Sequence, residues 1–166
     1  MKQVQFGYKS AKQLLKLQDS IARFRGNRPT KILFQVHSAR SESKQLDEVY
    51  KAIAERFPTA ICVGSSSNGS VVAGKVSSDD IAISCTIFER DTTQIEVLQY
   101  VVSEESIQGV AEDLVREVNT RPWVKGVGIL VASWGVSLTN FCNALENLRI
   151  DVQVFGGMAG STSDVN

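Results

Sequence analysis

Apolar residues follow two periods along this chain, one typical of buried strands and one typical of amphipathic helices. Short apolar runs at 32–36, 60–63 and 127–131 predict strands, and each run gives way to small or polar residues. Apolar residues spaced three and four apart predict the helices between them. These helices are expected over 10–25, 43–57, 103–118 and 138–148.

The same order of elements occurs twice. A strand at 32–36, a polar loop, a helix and a short strand at 60–63 recur as a second set that starts at 127 and ends with a strand at 151–155. The short connection behind each helix favours a parallel, right-handed β-α-β crossover. Three further strands, expected to be antiparallel, lie between the two sets at 71–76, 81–87 and 95–102. The predicted fold is therefore α/β, with a mixed sheet built from two β-α-β units and an antiparallel section between them.

Two segments of small residues are the first candidates for a binding site. Residues 64–69 follow one strand, and Gly156 with Gly157 follows another. Because ligands often bind at the carboxyl ends of parallel strands, we expect both segments to line one shared pocket. Backbone N–H groups and serine hydroxyls there would form a nest for a ligand, whereas the alternative is an ordinary tight turn. The predicted ligand-binding residues are Gly64, Ser65, Ser66, Ser67, Asn68, His37, Arg40, Ser133, Trp134, Gly156 and Gly157.

Three of these residues have a specific expected role beside a plainer one. His37, the single histidine, ends a strand and either hydrogen-bonds a ligand or serves the structure. Arg40 either pairs with an acidic ligand group or lies exposed in solvent. Trp134, next to Ser133, either walls the pocket or packs in the core. All three follow strands, which is why they are candidates.

Catalytic alternatives have little support in the sequence. Residues 64–68 stop one residue short of the G-x-S-x-G elbow, and a strand rather than a helix is expected behind them. A serine hydrolase would need Ser66 within hydrogen-bond reach of His37. No dinucleotide or Walker motif is present, and one histidine with scattered cysteines gives zinc no ligand set. We therefore predict no catalytic residue, no metal and no cofactor.

Composition narrows the classes of partner. The chain has 166 residues, enough for one domain, and a formal net charge of zero, so neither nucleic acid nor a membrane surface is favoured. The three cysteines, Cys62, Cys85 and Cys142, lie in separate apolar segments. Such cysteines fit a reducing compartment. With no leader-like segment at the start, we expect a cytoplasmic protein.

Three short motifs resemble the amino-terminal half of the FIST domain. The first is Ile32-Leu33-Phe34-Gln35-Val36-His37-Ser38, and the second runs from Phe57-Pro58 into Ile61-Cys62-Val63-Gly64-Ser65-Ser66-Ser67-Asn68-Gly69. The third is Phe155-Gly156-Gly157-Met158-Ala159-Gly160. The resemblance covers residues 31–160. Ser65 replaces the cysteine of the family's common Gly-Cys-Ser, and Asn68-Gly69-Ser70 replaces its Gly-Glu region.

The resemblance implies a sensory input domain of a bacterial signal-transduction protein that binds a small molecule such as an amino acid. Its partners would be the second half of the FIST domain and an output module of the diguanylate cyclase, histidine kinase or chemotaxis type. We expect an N-terminal helix and lead-in over 1–30 and a FIST N-like sensory domain over 31–166, truncated before that second half. The alternative is a protein-protein interaction or homodimerisation module.

Overall fold

A computed structural model describes residues 1–26, 30–39, 43–77, 79–131 and 138–159. The chain folds as two compact units, a first unit spanning Met1–Thr93 and a second unit spanning Gln94–Ala159. Helices and sheets occur in both, and the sheets include antiparallel and parallel pairs. The predicted α/β class is confirmed.

The elements of the first unit are β1 (Lys2–Gly7), α1 (Ala11–Arg25), β2 (Thr30–Ser38), α2 (Ser43–Arg56), β3 (Ile61–Ser66), β4 (Ser70–Val72), β5 (Lys75–Ser77) and β6 (Ile81–Glu89). Four of the strands form a sheet with the order β1-β6-β2-β3. Strands β2 and β3 are parallel and are joined through helix α2, which is the predicted first β-α-β unit, whereas β6 runs antiparallel to both β1 and β2. A short 3-10 turn, Arg90–Thr92, follows β6.

One face of this sheet carries the apolar core. Phe34 and Val36 of β2 are buried with alternate residues of β6, beneath the apolar stripes of α1 and α2. The Phe34 and Phe57 rings lie 5.1 Å apart between centroids. The sequence places Phe24 in the apolar stripe of α1 and Leu15 beside it, but these residues are 44% and 48% exposed, so the buried stripe is narrower than predicted. The buried residues that cover the sheet are Leu14, Leu17 and Ile21 of α1, Val49, Ala52 and Ile53 of α2, and Phe57, which follows α2.

Two elements of the first unit differ from the prediction. The residues of β1 are expected to belong only to a lead-in. They instead form an edge strand of the sheet, paired with β6. Residues 71–76 form a hairpin of β4 and β5 instead of a single strand. The hairpin turns at Ala73 and Gly74, whose φ angles of 50° and 79° suit a tight two-residue turn.

The second unit contains α3 (Ile107–Asn119), β7 (Gly126–Val131), α4 (Leu138–Leu145) and β8 (Gln153–Met158). Strands β7 and β8 are parallel, which confirms the second predicted β-α-β unit. The described residues 93–102 form no strand ladder, so the strand expected at 95–102 is absent from them. The core of this unit consists of Ile107, Ala111, Leu114, Val118 and Phe141.

Candidate functional site

Part of the second face of the four-stranded sheet is polar, because polar and apolar residues alternate along β1 and along parts of β2 and β6. In β1, Gln3 and Gln5 alternate with Val4 and Phe6. Side chains directly opposite one another point to the same face, so the pairing of Gln5 with Ser84, and of Ser84 with Gln35, makes a row of three polar residues across β1, β6 and β2. This row lies on the face opposite the helices.

A cleft of about 330 Å³ lies over this polar face, entirely within the first unit. Its volume is at the small end of the range for small-molecule sites. Residues from β1, β2 and β6 form its floor, and residues from the segment before β4 and from β4 itself form a wall. The lining residues used below are Gln3, Gln5, Gln35, His37, Ser70 and Ser84.

Hydrogen bonds hold part of the floor in place. Gln3 Nε2 donates to Ser84 Oγ at 3.0 Å and contacts Thr86 Oγ1 at 3.3 Å. Gln5 Oε1 accepts a hydrogen bond from the backbone N–H of Ala73 at 3.4 Å, which links the floor to the turn of the β4–β5 hairpin. Gln35 has no side-chain hydrogen-bond partner among the described residues. The floor therefore keeps amide groups that a bound molecule can use.

His37 and Ser65 form a side-chain pair at the end of β2 and β3. The Nδ1 atom of His37 lies 3.1 Å from Ser65 Oγ, as the direct pairing of the two residues in the parallel ladder requires. Burial lowers the pKa of the His37 imidazole below its ordinary value of 6.5. The imidazole is thus neutral near pH 7, and its Nε2 atom accepts or donates according to the tautomer.

The pKa of His37 predicts how stability depends on pH. Because the unfolded chain binds this proton more tightly, the stability that neutral His37 provides is complete above pH 6.5 and is lost as the pH falls through the lowered pKa. Urea denaturation gives the free energy of unfolding of the wild type and of His37→Gln at each pH. We expect these two free energies to converge or cross between pH 7.5 and 5. Since the chain has one histidine, this difference reports His37 alone. Parallel pH curves for the two proteins would contradict the prediction.

The serine-rich segment is arranged differently from the loop that the sequence predicts. Strand β3 continues through Ser66, so Gly64, Ser65 and Ser66 belong to the ladder with β2. The backbone N–H of Ser67 donates to Ser38 O at 2.7 Å, and that of Gly69 donates to Ser67 Oγ at 3.2 Å. Backbone amides of the predicted nest at Ser67 and Gly69 are therefore used within the protein. Asn68 is exposed beside them.

Strand alternation separates the three serines by face. Ser65 lies on the polar face with His37, whereas Gly64 and Ser66 lie on the face that the helices cover. A Cβ atom on Gly64 would come within 2.7 Å of Tyr50 Oη, so this glycine serves packing against α2. The hydrolase arrangement of Ser66 with His37 is not formed. Of the predicted ligand-binding residues in this segment, Ser67 lines the cleft. Gly64, Ser65, Ser66 and Asn68 are absent from the described lining.

The remaining predicted residues lie elsewhere. Gly156 and Gly157 are in the second unit, where β8 runs straight through them instead of turning. Gly156 has a φ of 134°, and a Cβ there would lie 1.9 Å from Ile129 O. Arg40, Ser133 and Trp134 lie outside the described residues. The shared pocket between the two glycine-rich segments stays a prediction.

Sequence reasoning missed the glutamines of β1 and β2 and the serines of β4 and β6. A signal was present, since Gln3 and Gln5 alternate with apolar residues, as do Ser84 and Thr86. Such alternation is typical of a strand with one solvent-exposed face.

Two of the three thiols, those of Cys62 and Cys85, are poor candidates for chemistry. Burial raises the pKa of Cys62 to about 11 and that of Cys85 to about 12, so both remain protonated. Within the described ranges, no group of three or more His, Cys, Asp or Glu side chains is placed to hold a metal ion. In the same part of the chain, no helix has the length and apolarity to cross a membrane.

The fold is mixed α/β, and its first unit carries a polar cleft on one face of the four-stranded sheet. The family model of the FIST N domain matches residues 32–166, and the chain belongs to this family. The FIST family consists of sensory domains associated with signalling. No curated protein and no solved structure matches the chain significantly.

Proposed function

We propose that the chain is a cytoplasmic ligand-sensing domain whose polar cleft in the first unit binds a small molecule. The observation that carries this proposal is the row formed by Gln5, Ser84 and Gln35, which lies under a cleft and retains unpaired amide groups. A polar sheet face that served only as solvent-exposed surface would require neither a cleft nor a covering segment such as β4.

Small side chains explain where the hollow forms. Ala82 and Gly7 sit side by side in the row next to Gln5, Ser84 and Gln35, and they continue the row of His37 and Ser65. The Asp79 carboxylate occupies the space above Gly7, whereas Ala82 lines the cleft. The short side chain of Ala82 therefore leaves room in the floor beside the longer side chains of Gln5 and Gln35.

The β4–β5 hairpin is the element that we expect to respond to the ligand. Its turn is joined to the floor by the long 3.4 Å bond from Ala73 to Gln5. Ser70 Oγ, in the first residue of β4, is buried without a hydrogen-bond partner among the described residues. An unpaired buried hydroxyl costs about 1–3 kcal/mol, so a hairpin position that satisfies it is favoured. Ligand binding would select such a position.

The shift of the β4–β5 hairpin would then change the activity of a partner domain that carries the output function. In this proposal the partners are the second half of a FIST domain and an output module of the diguanylate cyclase, histidine kinase or chemotaxis type. Membership of a signalling-associated family supports this part of the proposal. The ligand acts by favouring one of two hairpin positions, so its effect on the output is limited to its difference in affinity for the two.

Two-dimensional 15N NMR of the full chain, with calorimetry, tests the proposal. The probes are a panel of amino acids, small organic acids and small amides. At least one compound should shift the resonances of His37, Gln35 and Ser84 together with those of the β4–β5 hairpin. Gln35→Ala should weaken that binding by about tenfold, the equivalent of 1.4 kcal/mol. The matched control is Gln18→Ala, since Gln18 is exposed on α1 and should be neutral.

The proposal fails if no compound perturbs the cleft residues, or if Gln18→Ala and Gln35→Ala weaken binding equally. In the second case the bound site is not the cleft. Near-UV circular dichroism of each variant verifies that the fold is retained.

A protein-interaction module is the second candidate, favoured by apolar side chains of the second unit. Leu130 and Phe155 lie on the same face of the β7–β8 pair and are 40% and 62% exposed. Large exposed apolar residues that cluster indicate association. Sedimentation velocity of the wild type and of Phe155→Ser tests it. A concentration-dependent dimer that the variant abolishes would favour this candidate, and a monomer at all concentrations would exclude homodimerisation.

A further inference from the structure

We infer that the cleft selects an uncharged ligand carrying a carboxamide or lactam edge, in preference to a free carboxylic acid or an amino-acid zwitterion. The inference rests on the proposed function and narrows it to a chemical class. Its basis is the set of groups that face the cleft and the donors and acceptors that those groups leave unused.

The cleft lining contains amides and hydroxyls but no formally charged side chain. Among the described residues that line it, none is Asp, Glu, Lys or Arg. The polar groups come from Gln3, Gln5 and Gln35, from serines of β4 and β6, and from His37. The imidazole adds no charge near neutral pH, because burial keeps its pKa low. A charged ligand would therefore find no opposite charge on the floor.

Three charged residues lie close to the cleft in sequence, and none brings a cation to its floor. The Asp79 carboxylate, just before β6, lies on the polar face against Gly7, and its Oδ1 atom is 3.6 Å from Lys9 Nζ. Lys2 lies on the apolar face of β1, with its ammonium 5.2 Å from the centroid of the Phe24 ring. Lys75 is exposed in β5 and is absent from the lining. None of these three groups compensates a ligand carboxylate at the floor.

Desolvation then discriminates between a carboxylate and an amide. A carboxylate that leaves water for a half-enclosed site without a counter-charge loses hydration that neutral donors only partly replace. A neutral amide exchanges its hydrogen bonds with water for equivalent bonds with the protein. The difference depends on the floor being half-buried at Gln35, His37 and Ser84, away from the exposed end at Gln3 and Gln5.

The hydrogen-bond donors and acceptors that the cleft leaves unpaired are those that a carboxamide ligand requires. Gln35 retains both its amide oxygen and its NH2 group, and Gln5 retains its NH2 group because Ala73 uses only its oxygen. A side-chain amide presents one donor and one acceptor side by side, which is the pattern that another amide edge presents in reverse. His37 Nε2 supplies a further donor or acceptor, since its Nδ1 is paired with Ser65. Val72 on the wall adds apolar contact for the rest of a small molecule.

Matched pairs of probes test this inference without any substitution. The pairs are nicotinamide with nicotinate and isobutyramide with isobutyrate, and uracil serves as a lactam edge from a different source. Binding to the full chain is measured by saturation-transfer NMR and by 15N shifts of the cleft residues at pH 7.5. The amide of each pair should bind at least about tenfold more tightly than its acid. L-alanine and L-glutamine should bind no better than the acids.

A charge placed on the floor gives the reciprocal test. Gln35→Lys should lose affinity for the amides and gain affinity for nicotinate or isobutyrate, whereas Gln18→Lys, on the exposed face of α1, should change neither. Unfolding curves confirm that both variants fold. If Gln35→Lys does not fold, Gln35→Ala takes its place and should lose the amide preference.

The outcomes separate this inference from the proposal on which it rests. Acids or amino acids that bind the cleft more tightly than the amides would overturn the inference and leave the sensing proposal standing. Amide binding that shifts no cleft residue, or that survives in Gln35→Ala, would also overturn it. If no compound of either class shifts the resonances of the cleft residues, both the inference and the sensing proposal are wrong.

Discussion

Replacing Leu14 with Ala is expected to lower the free energy of unfolding by about 2–5 kcal/mol, the range for a fully buried leucine whose cavity cannot collapse. Leu14 is 0% exposed and belongs to the core cluster that α1 and α2 form against the sheet. The loss combines the transfer free energy of the removed carbons with the cost of the cavity left between helix and sheet. Urea denaturation followed by far-UV circular dichroism measures it.

The neighbouring residue provides a matched control. Leu15 is in the same helix, has the same side chain and is 48% exposed. Since alanine is the better helix former and little apolar area is removed from the core, Leu15→Ala should change the free energy of unfolding by less than about 1 kcal/mol. Equal losses from the two variants would contradict the placement of α1 on the sheet.

Replacing Gly64 with Ala is the second change with a large expected effect, about 3 kcal/mol or more, at the upper end for overpacking. A Cβ atom at this position would lie 2.2 Å from the carbonyl oxygen of Val36 and 2.7 Å from Tyr50 Oη. The Val36 oxygen belongs to the neighbouring strand β2 and cannot move without disturbing the parallel ladder. The same denaturation experiment measures the loss.

Two further variants identify the cause. Gly69→Ala, five residues along the chain, meets no atom within 4 Å and should be close to neutral. Tyr50→Phe removes only the hydroxyl contact, so it should not rescue Gly64→Ala if the backbone contact with Val36 dominates. Rescue by Tyr50→Phe would show that the tyrosine hydroxyl was the obstacle instead.

Long amphipathic helices were predictable because the spacing of their apolar residues shows which face is buried. Helix α2 was expected over 43–57 and is found at Ser43–Arg56, and α3 was expected to present the face that includes Ile107 and Val118, both of which are buried. Each of these helices buries one stripe against a sheet, and that requirement imposes a spacing of three and four on the sequence. The parallel pairing of the strands flanking α2 and α4 followed from the short connections.

Elements made of small residues were not predictable in the same way. Ser65 and Ser66 have little preference for strands, yet both belong to β3, because β2 extends far enough to pair with them at His37 and Ser38. Residues 95–102 show the opposite case, with an apolar, β-favouring composition and no strand ladder among the described residues. A strand needs a partner as well as a propensity, and the partner is set by tertiary structure.

The sequence by itself determined the α/β class, the two β-α-β repeats, the apolar face of each helix and the membership of the FIST N family. Tertiary structure decided which polar residues share a surface, because a one-residue change of register moves every side chain of a strand to the other face. The register of β3 against β2 places Ser65 beside His37 and Ser66 behind it. The pairing of β1 with β6, residues about eighty positions apart in the chain, brings Gln5 next to Ser84. Contacts between such distant segments depend on the whole packed sheet, so no local pattern encodes them.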